Sequence, residues 1–124
     1  MPTDIRIIHA HDFIKATPRG QLDREKTKQM LIEIASASAP LGDYEILLDT
    51  RKAQSGMSAS DLWFLAAQLS KLRKAFSRKT AVLCPREQFD QAGFFALCAQ
   101  NRGFLVKPFT CFEDAIEWLI AKGP

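Results

Sequence analysis

His9 and His11 stand two residues apart in a β-branched stretch, the spacing at which a strand turns both imidazoles to one side and so begins a metal site. Two ligands do not close a coordination sphere, and the order of elements read below sets no third His, Glu or Cys beside them. They read as surface or edge histidines, and no metal is expected. Cys84 is the one attractive nucleophile, because it ends an apolar run and strand ends in α/β sheets open onto the ligand crevice. It has no obvious base, since both histidines belong to the N-terminal pair. No Gly-rich run follows a strand, so phosphate loops of the Walker or dinucleotide kind are absent. The residue types therefore predict no catalytic residue and no cofactor, in a protein that is not an enzyme.

The cations make a second pattern. Seventeen Lys and Arg against fourteen Asp and Glu give a net charge of +3, and the excess is focused. Between Asp61 and Glu87 there is no acid, while Lys71, Arg73, Lys74, Arg78, Lys79 and Arg86 all fall there. Cations near a helix C-terminus complement its dipole and keep the surface soluble. The functional alternative is a dock for an acidic protein, anionic lipid or nucleic acid. Aromatic residues are not interleaved with these cations on an exposed face, so stacking of single strands lacks support and nucleic acid is not an expected partner. Cys84, Cys98 and Cys111 are odd in number and contain no Cys-x-x-Cys pair, which fits reduced, buried thiols.

These residues need a scaffold. With 124 residues, 47% hydrophobic and 25% charged, the chain predicts one compact domain over 1–124 with a buried core. The longest apolar stretches, such as 62–67, fall far short of the roughly 18 to 20 residues of a membrane span, and no basic-then-apolar leader is visible. A cytoplasmic protein without a membrane span is expected. Asp4 to Ala10 and Phe13 to Thr17 read as a strand pair with a tight turn, ended by Pro18 and Gly20. From Asp23 the period becomes helical, with Thr27, Met30, Leu31, Ile34 and Ala35 on one face, until Pro40 and Gly42.

Tyr44 to Leu48 is a short apolar run of the kind found in a doubly covered central strand, ending at Asp49. A polar loop over 50–57 leads to a capping box at Ser58 and Asp61, and then to the stripe Leu62, Leu65, Ala66, Leu69, Leu72 and Phe76. Lys79 to Cys84 is a further buried strand, 87–102 a helix closed by Gly103, and Phe104 to Val106 the last strand. Thr110 with Glu113 makes a second capping box before a final helix. Trp63, Phe64, Phe89, Phe94 and Phe95 exceed what one sheet face can cover, so the surplus implies a dimer interface or a small apolar pocket. The interface is preferred, because a deep lipid cavity would consume most of a core this size. The order ββαβαβαβα predicts an α/β fold, a mixed sheet of about five strands with four helices.

Gly20-Gln21-Leu22-Asp23, with Thr27 and Leu31, resembles the segment that opens the first helix of STAS domains, the SpoIIAA-like fold of bacterial anti-sigma-factor antagonists. Ile46 to Asp49 is similar to the family's central strand, Ser55-Gly56-Met57 falls near its Asp-Ser-Ser-Gly-Leu, and Glu113 to Leu119 resembles its closing helix. Asp49-Thr50-Arg51 and the Ala115 to Leu119 ending bring the chain nearer still to a subgroup of short bacterial STAS-like proteins. The resemblance implies a non-catalytic regulatory or protein-interaction module. Its partner would be another protein, such as a kinase or an anti-sigma-like regulator, or a second copy of the chain.

On that resemblance Asp49, Arg51, Ser55 and Ser58 form a partner-binding loop, and Lys71, Arg73, Lys74, Arg78 and Lys79 a secondary basic patch. Ser55 and Ser58 are the candidate phosphoacceptors, since a helix N-terminus stabilises added negative charge. The family's phosphoacceptor Ser follows an Asp, which Lys52-Ala53-Gln54-Ser55 lacks, so Ser58 reads first as a helix cap and Ser55 as a turn residue. A carrier of a small apolar ligand or lipid is the other alternative, by resemblance to the related CRAL-TRIO fold. Gly103 to Phe109 is also similar to the Lys-Pro segment of response-regulator receivers. The start of the chain rejects that reading, because Asp12 alone is poor support for a divalent metal and only one helix fits before Asp49.

Overall fold

In the computed structural model the structure describes residues 4–8, 13–41 and 44–121. The β-branched opening forms an antiparallel pair, β1 (Asp4–Ile8) and β2 (Phe13–Thr17), in register Ile5 with Ala16 and Ile7 with Ile14. From β2 onward the main sheet is parallel. β4 (Glu45–Asp49) lies beside β2, β6 (Thr80–Leu83) beside β4, and β7 (Val106–Phe109) at the edge, giving the order β1-β2-β4-β6-β7. Every residue of β6 is buried, as expected for a strand covered on both faces. Pro108 is tolerated in β7 because the edge position leaves its missing N–H outside the ladder.

Three helices connect successive parallel strands: α1 (Arg24–Ser38), α2 (Ala59–Gln68) and α3 (Phe89–Gln100). The chain steps along the sheet in one direction, so crossovers of one hand put all three on the same face. There Met30, Leu31, Ile34, Leu65, Leu69 and Ala99 pack against Ile46, Leu48, Val82 and Val106. After the edge strand the chain turns back, and α4 (Phe112–Ile120) covers the opposite face, where Ala115 and Leu119 meet Phe13, Leu47, Ala81 and Leu83. Odd and even residues of β4 and β6 thus serve two cores, each buried Leu contributing about 1.5–3 kcal/mol.

The predicted five strands, four helices and their order stand, and only α1 precedes Asp49 among the described residues. Several boundaries need correction. The 50–57 segment is not all loop: β5 (Ala53–Ser55) pairs in parallel with β3 (Gly20–Leu22) in a separate two-stranded ladder. Neither run has β propensity, so only their meeting in space makes them strands. The stripe of α2 continues into the core through Leu69 and Phe76, but the helix tightens to a 3-10 turn over Leu69–Leu72. A second such turn, Arg86–Gln88, precedes α3.

The last strand starts at Val106 rather than Phe104, because Gly103, at φ +91°, closes α3 in a Schellman arrangement: the Gly103 N–H reaches the Gln100 carbonyl and the Phe104 N–H that of Ala99. At α4 the cap position is Cys111, without a side-chain capping bond, so the expected box from Thr110 does not form. Cys84 and Cys98 are buried, but Cys111 is only partly so, which corrects the expectation that all three thiols are interior. No described helix is long and apolar enough to cross a membrane.

Candidate functional site

Asp49 ends β4 on the α4 face, and its side chain is only 5% exposed. Its carboxylate accepts from Arg51 three times, from the backbone N–H at 3.1 Å, from Nε at 3.0 Å and from Nη2 at 2.9 Å, while the Lys15 ammonium stands at 4.0 Å. Burial pushes the carboxyl upward. The Arg51 hydrogen bonds and the charges of Arg51 and Lys15 together outweigh it and hold Asp49 below its ordinary value. The fork fixes an exposed guanidinium in one place. Glu113, in the first turn of α4, stays ionised chiefly through its own N–H, then the Cys111 thiol at 3.3 Å, with the charge of Arg51 assisting.

The chain after Asp49 is tied down residue by residue. Thr50 donates to the Leu83 carbonyl from its N–H at 2.7 Å and from its hydroxyl at 3.0 Å. The Ala53 N–H returns to the Thr50 carbonyl at 3.1 Å, leaving Arg51 and Lys52 exposed at the tip of a turn. Gly20, at φ +81°, lets β3 meet that turn, its N–H reaching the Lys52 carbonyl. Ser58 caps α2: its hydroxyl accepts from the Asp61 N–H at 3.2 Å and the Asp61 carboxylate accepts from the Ser58 N–H at 3.1 Å.

On the other face of the sheet the same strand ends floor a cavity of about 70 Å³. Met30, Leu31, Leu48, Leu65, Val82 and Phe95 make apolar walls. Its polar rim includes Thr50, Gln88, and Ser55, whose hydroxyl donates to Gln91 Oε1 at 3.2 Å. Cys84 also lines it, its thiol directed to the Phe109 carbonyl at 3.6 Å and pushed up to about 11 by burial and by the charge of Glu87. A thiol so protonated is a poor nucleophile at neutral pH.

This geometry has relatives among solved structures. An uncharacterized protein of the DUF3478 family with a SpoIIAA-like fold, from Shewanella loihica PV-4, matches at TM-score 0.62 over 95% of this chain and 92% of its own, at 20% identity. The anti-sigma factor antagonist SpoIIAA in its unphosphorylated form matches at TM-score 0.59 over 94% of this chain and 95% of its own, at 17% identity. The fold is SpoIIAA-like. No family model matches the sequence, and neither does any curated protein.

Within the SpoIIAA-like fold the sequence-predicted residues divide into two places. Asp49 and Arg51 join each other on the α4 face. Ser55 and Ser58 follow in the same segment, Ser55 on the cavity rim and Ser58 at the exposed start of α2. The basic run does not form one patch of unpaired cations. Arg78 pairs with Glu45 at 2.8 Å, Arg73 lies 4.6 Å from the Phe104 ring, and Lys79 caps α4, while Lys71, Arg73, Lys74 and Arg78 are all exposed. His9 and His11 lie outside the described residues. Among the described residues no three His, Cys, Asp or Glu gather as metal ligands. Residue types gave no notice of Lys15 beside Asp49, nor of Gln91 and Met57 at the cavity, because each depends on a partner thirty or more residues away.

Proposed function

We propose that the chain is a STAS-like regulatory module that works by binding another protein through the Asp49–Ser58 segment. The observation that carries this reading is the buried Asp49 carboxylate gripping Arg51, which presents a charged, exposed side chain at the tip of a turn braced by the β3–β5 ladder. Such bracing removes in advance the ordering cost of a contact. The SpoIIAA-like fold of an anti-sigma factor antagonist supports a partner that is a protein, a kinase or an anti-sigma-like regulator among the candidates. Trp63, Phe94 and Leu97, all exposed, support a second contact surface, a homodimer included.

Switching by phosphate at Ser58 has less support. A phosphoryl group there would displace the hydroxyl from its cap and set a dianion beside Asp61. Ser55 has room only at the rim, where Gln91 already holds it.

Immobilised wild-type chain and three variants, Arg51→Ala, Lys52→Glu and Lys74→Ala, presented to an extract of the host cell, test the reading. A partner retained by wild type and Lys74→Ala but lost by the two turn variants is the expected outcome. Retention by all four, or by none, overturns it.

A further inference from the structure

The outward side of α3 carries a pattern that the turn at Arg51 does not use. Asp90, Phe94, Leu97 and Asn101 stand at steps of four, three and four, the spacing that lines one seam of a helix, and all four are exposed, Leu97 by 53%. An apolar pair is thus flanked by a carboxylate one turn before it and by an amide one turn after it, with Arg102 next in the chain. The Asp90 carboxylate has no ion-pair partner among the described residues. Arg102 is held toward α2, its guanidinium 5.0 Å from the ring of Trp63, which is itself 55% exposed.

Such a seam is complementary to itself in one direction. When two copies of α3 are related by a two-fold axis between Phe94 and Leu97, the helices run antiparallel. Phe94 of each then faces Leu97 of the other, and Asp90 faces Asn101 with Arg102 beside it, so every contact occurs twice. Parallel packing would set Asp90 against Asp90 and gather the cations at the other end. An anionic membrane fits less well, because it would meet Glu87 and Asp90 at the start of the same helix. We propose that the occupant of this seam is a second copy of the chain, docked as an isologous dimer through antiparallel α3 helices. This rests on the second contact surface in the reading above and not on the Arg51 turn. At about 1.5 Å per residue and 10 Å of width, α3 with the flank of α2 presents roughly 350 Å² per copy, less than half of the about 800 Å² of a standard interface, so the dimer is weak and concentration-dependent.

Sedimentation equilibrium of the full chain, from about 5 to 500 µM, reads the association. The weight-average mass should climb from 13.9 kDa toward twice that, with half-association near about 100 µM. Phe94→Glu, an exposed substitution checked by circular dichroism, should hold the chain at monomer mass. Asp90→Lys and Asn101→Asp should each weaken association about tenfold, since one substitution alters two symmetric contacts. The double variant Asp90→Lys/Asn101→Asp sets opposite charges face to face again and should restore it. Should Phe94→Glu fail to fold, the charge swap decides alone. Arg51→Ala should leave the dimer intact, so partner capture at the turn and self-association at α3 stand or fall separately. A wild type that stays monomeric throughout, or that sediments with phosphatidylglycerol vesicles instead of pairing, overturns the proposal. So does an association that survives Phe94→Glu, or a double variant as weak as the two single ones.

Discussion

The ammonium of Lys79 donates to the Trp118 carbonyl at 2.9 Å and lies 5.4 Å from the centre of the same residue's indole ring. With a further bond to the Ala121 carbonyl at 2.8 Å, it closes the C-terminus of α4 from the start of β6. A cation at a helix C-terminus, bonded to its orphan carbonyls, contributes about 1–2 kcal/mol. Lys79→Met should therefore lower stability by about that much, and Lys79→Arg by less. Urea denaturation checks the size, and hydrogen exchange should show the loss concentrated in α4.

Removal of Arg51 should cost more than neutralising Asp49. Arg51→Ala strands a buried carboxylate with Lys15 as its remaining cation, whereas Asp49→Asn leaves an exposed guanidinium free to hydrate. Allowing for solvent screening of the half-exposed guanidinium, Arg51→Ala should cost about 1–2 kcal/mol. Denaturant midpoints of the two single variants and the double variant give the ranking, and equal costs would contradict the geometry.

The same pair sets a pH dependence. The Asp49 carboxyl sits below its ordinary value when folded, so its contribution is present above the unfolded value of about 3.9 and is lost as pH falls through the folded one. In Arg51→Ala burial is opposed by fewer partners, and the acid unfolding midpoint should move to higher pH. Circular dichroism across the acid range measures the shift, which Asp49→Asn should abolish.

Thiol chemistry should distinguish the cysteines. Cys84 and Cys98 are buried, and the Cys84 thiol is held up at about 11, so at pH 8 a disulfide reagent should titrate one fast equivalent at Cys111. Cys111→Ser should remove the fast phase. Three equivalents at one rate would mean that the interior is open.

Thr80 carries a buried hydroxyl with no hydrogen-bond partner among the described residues. Thr80→Val keeps its shape and removes the orphaned group, so it should raise stability by about 1 kcal/mol, measurable as a rise in melting temperature.

The architecture was legible because each long element repeats its signal many times. Leu62, Leu65, Ala66 and Leu69 mark one helix face, and Ile46 to Leu48 mark a strand by sheer apolarity. What escaped notice was held by single long-range contacts. β3 and β5 have three residues each and become strands only by finding one another. Thr110 and Glu113 have the right spacing for a capping box, but the helix begins one residue too late for it. Within the charge run over 71–79 the partners of Arg78 and Lys79, Glu45 and the α4 carbonyls, are distant in sequence and left no local signal.

Pro108 bears on what the molecule avoids. β6 binds β7 through the carbonyls of Leu105 and Phe109, so the intervening Val106 and Pro108 turn their amide positions outward, and one of those two has no hydrogen to offer. An intruding strand would find a broken row of donors there. Fibrillar growth from this margin of the sheet is thereby discouraged by a single imino acid.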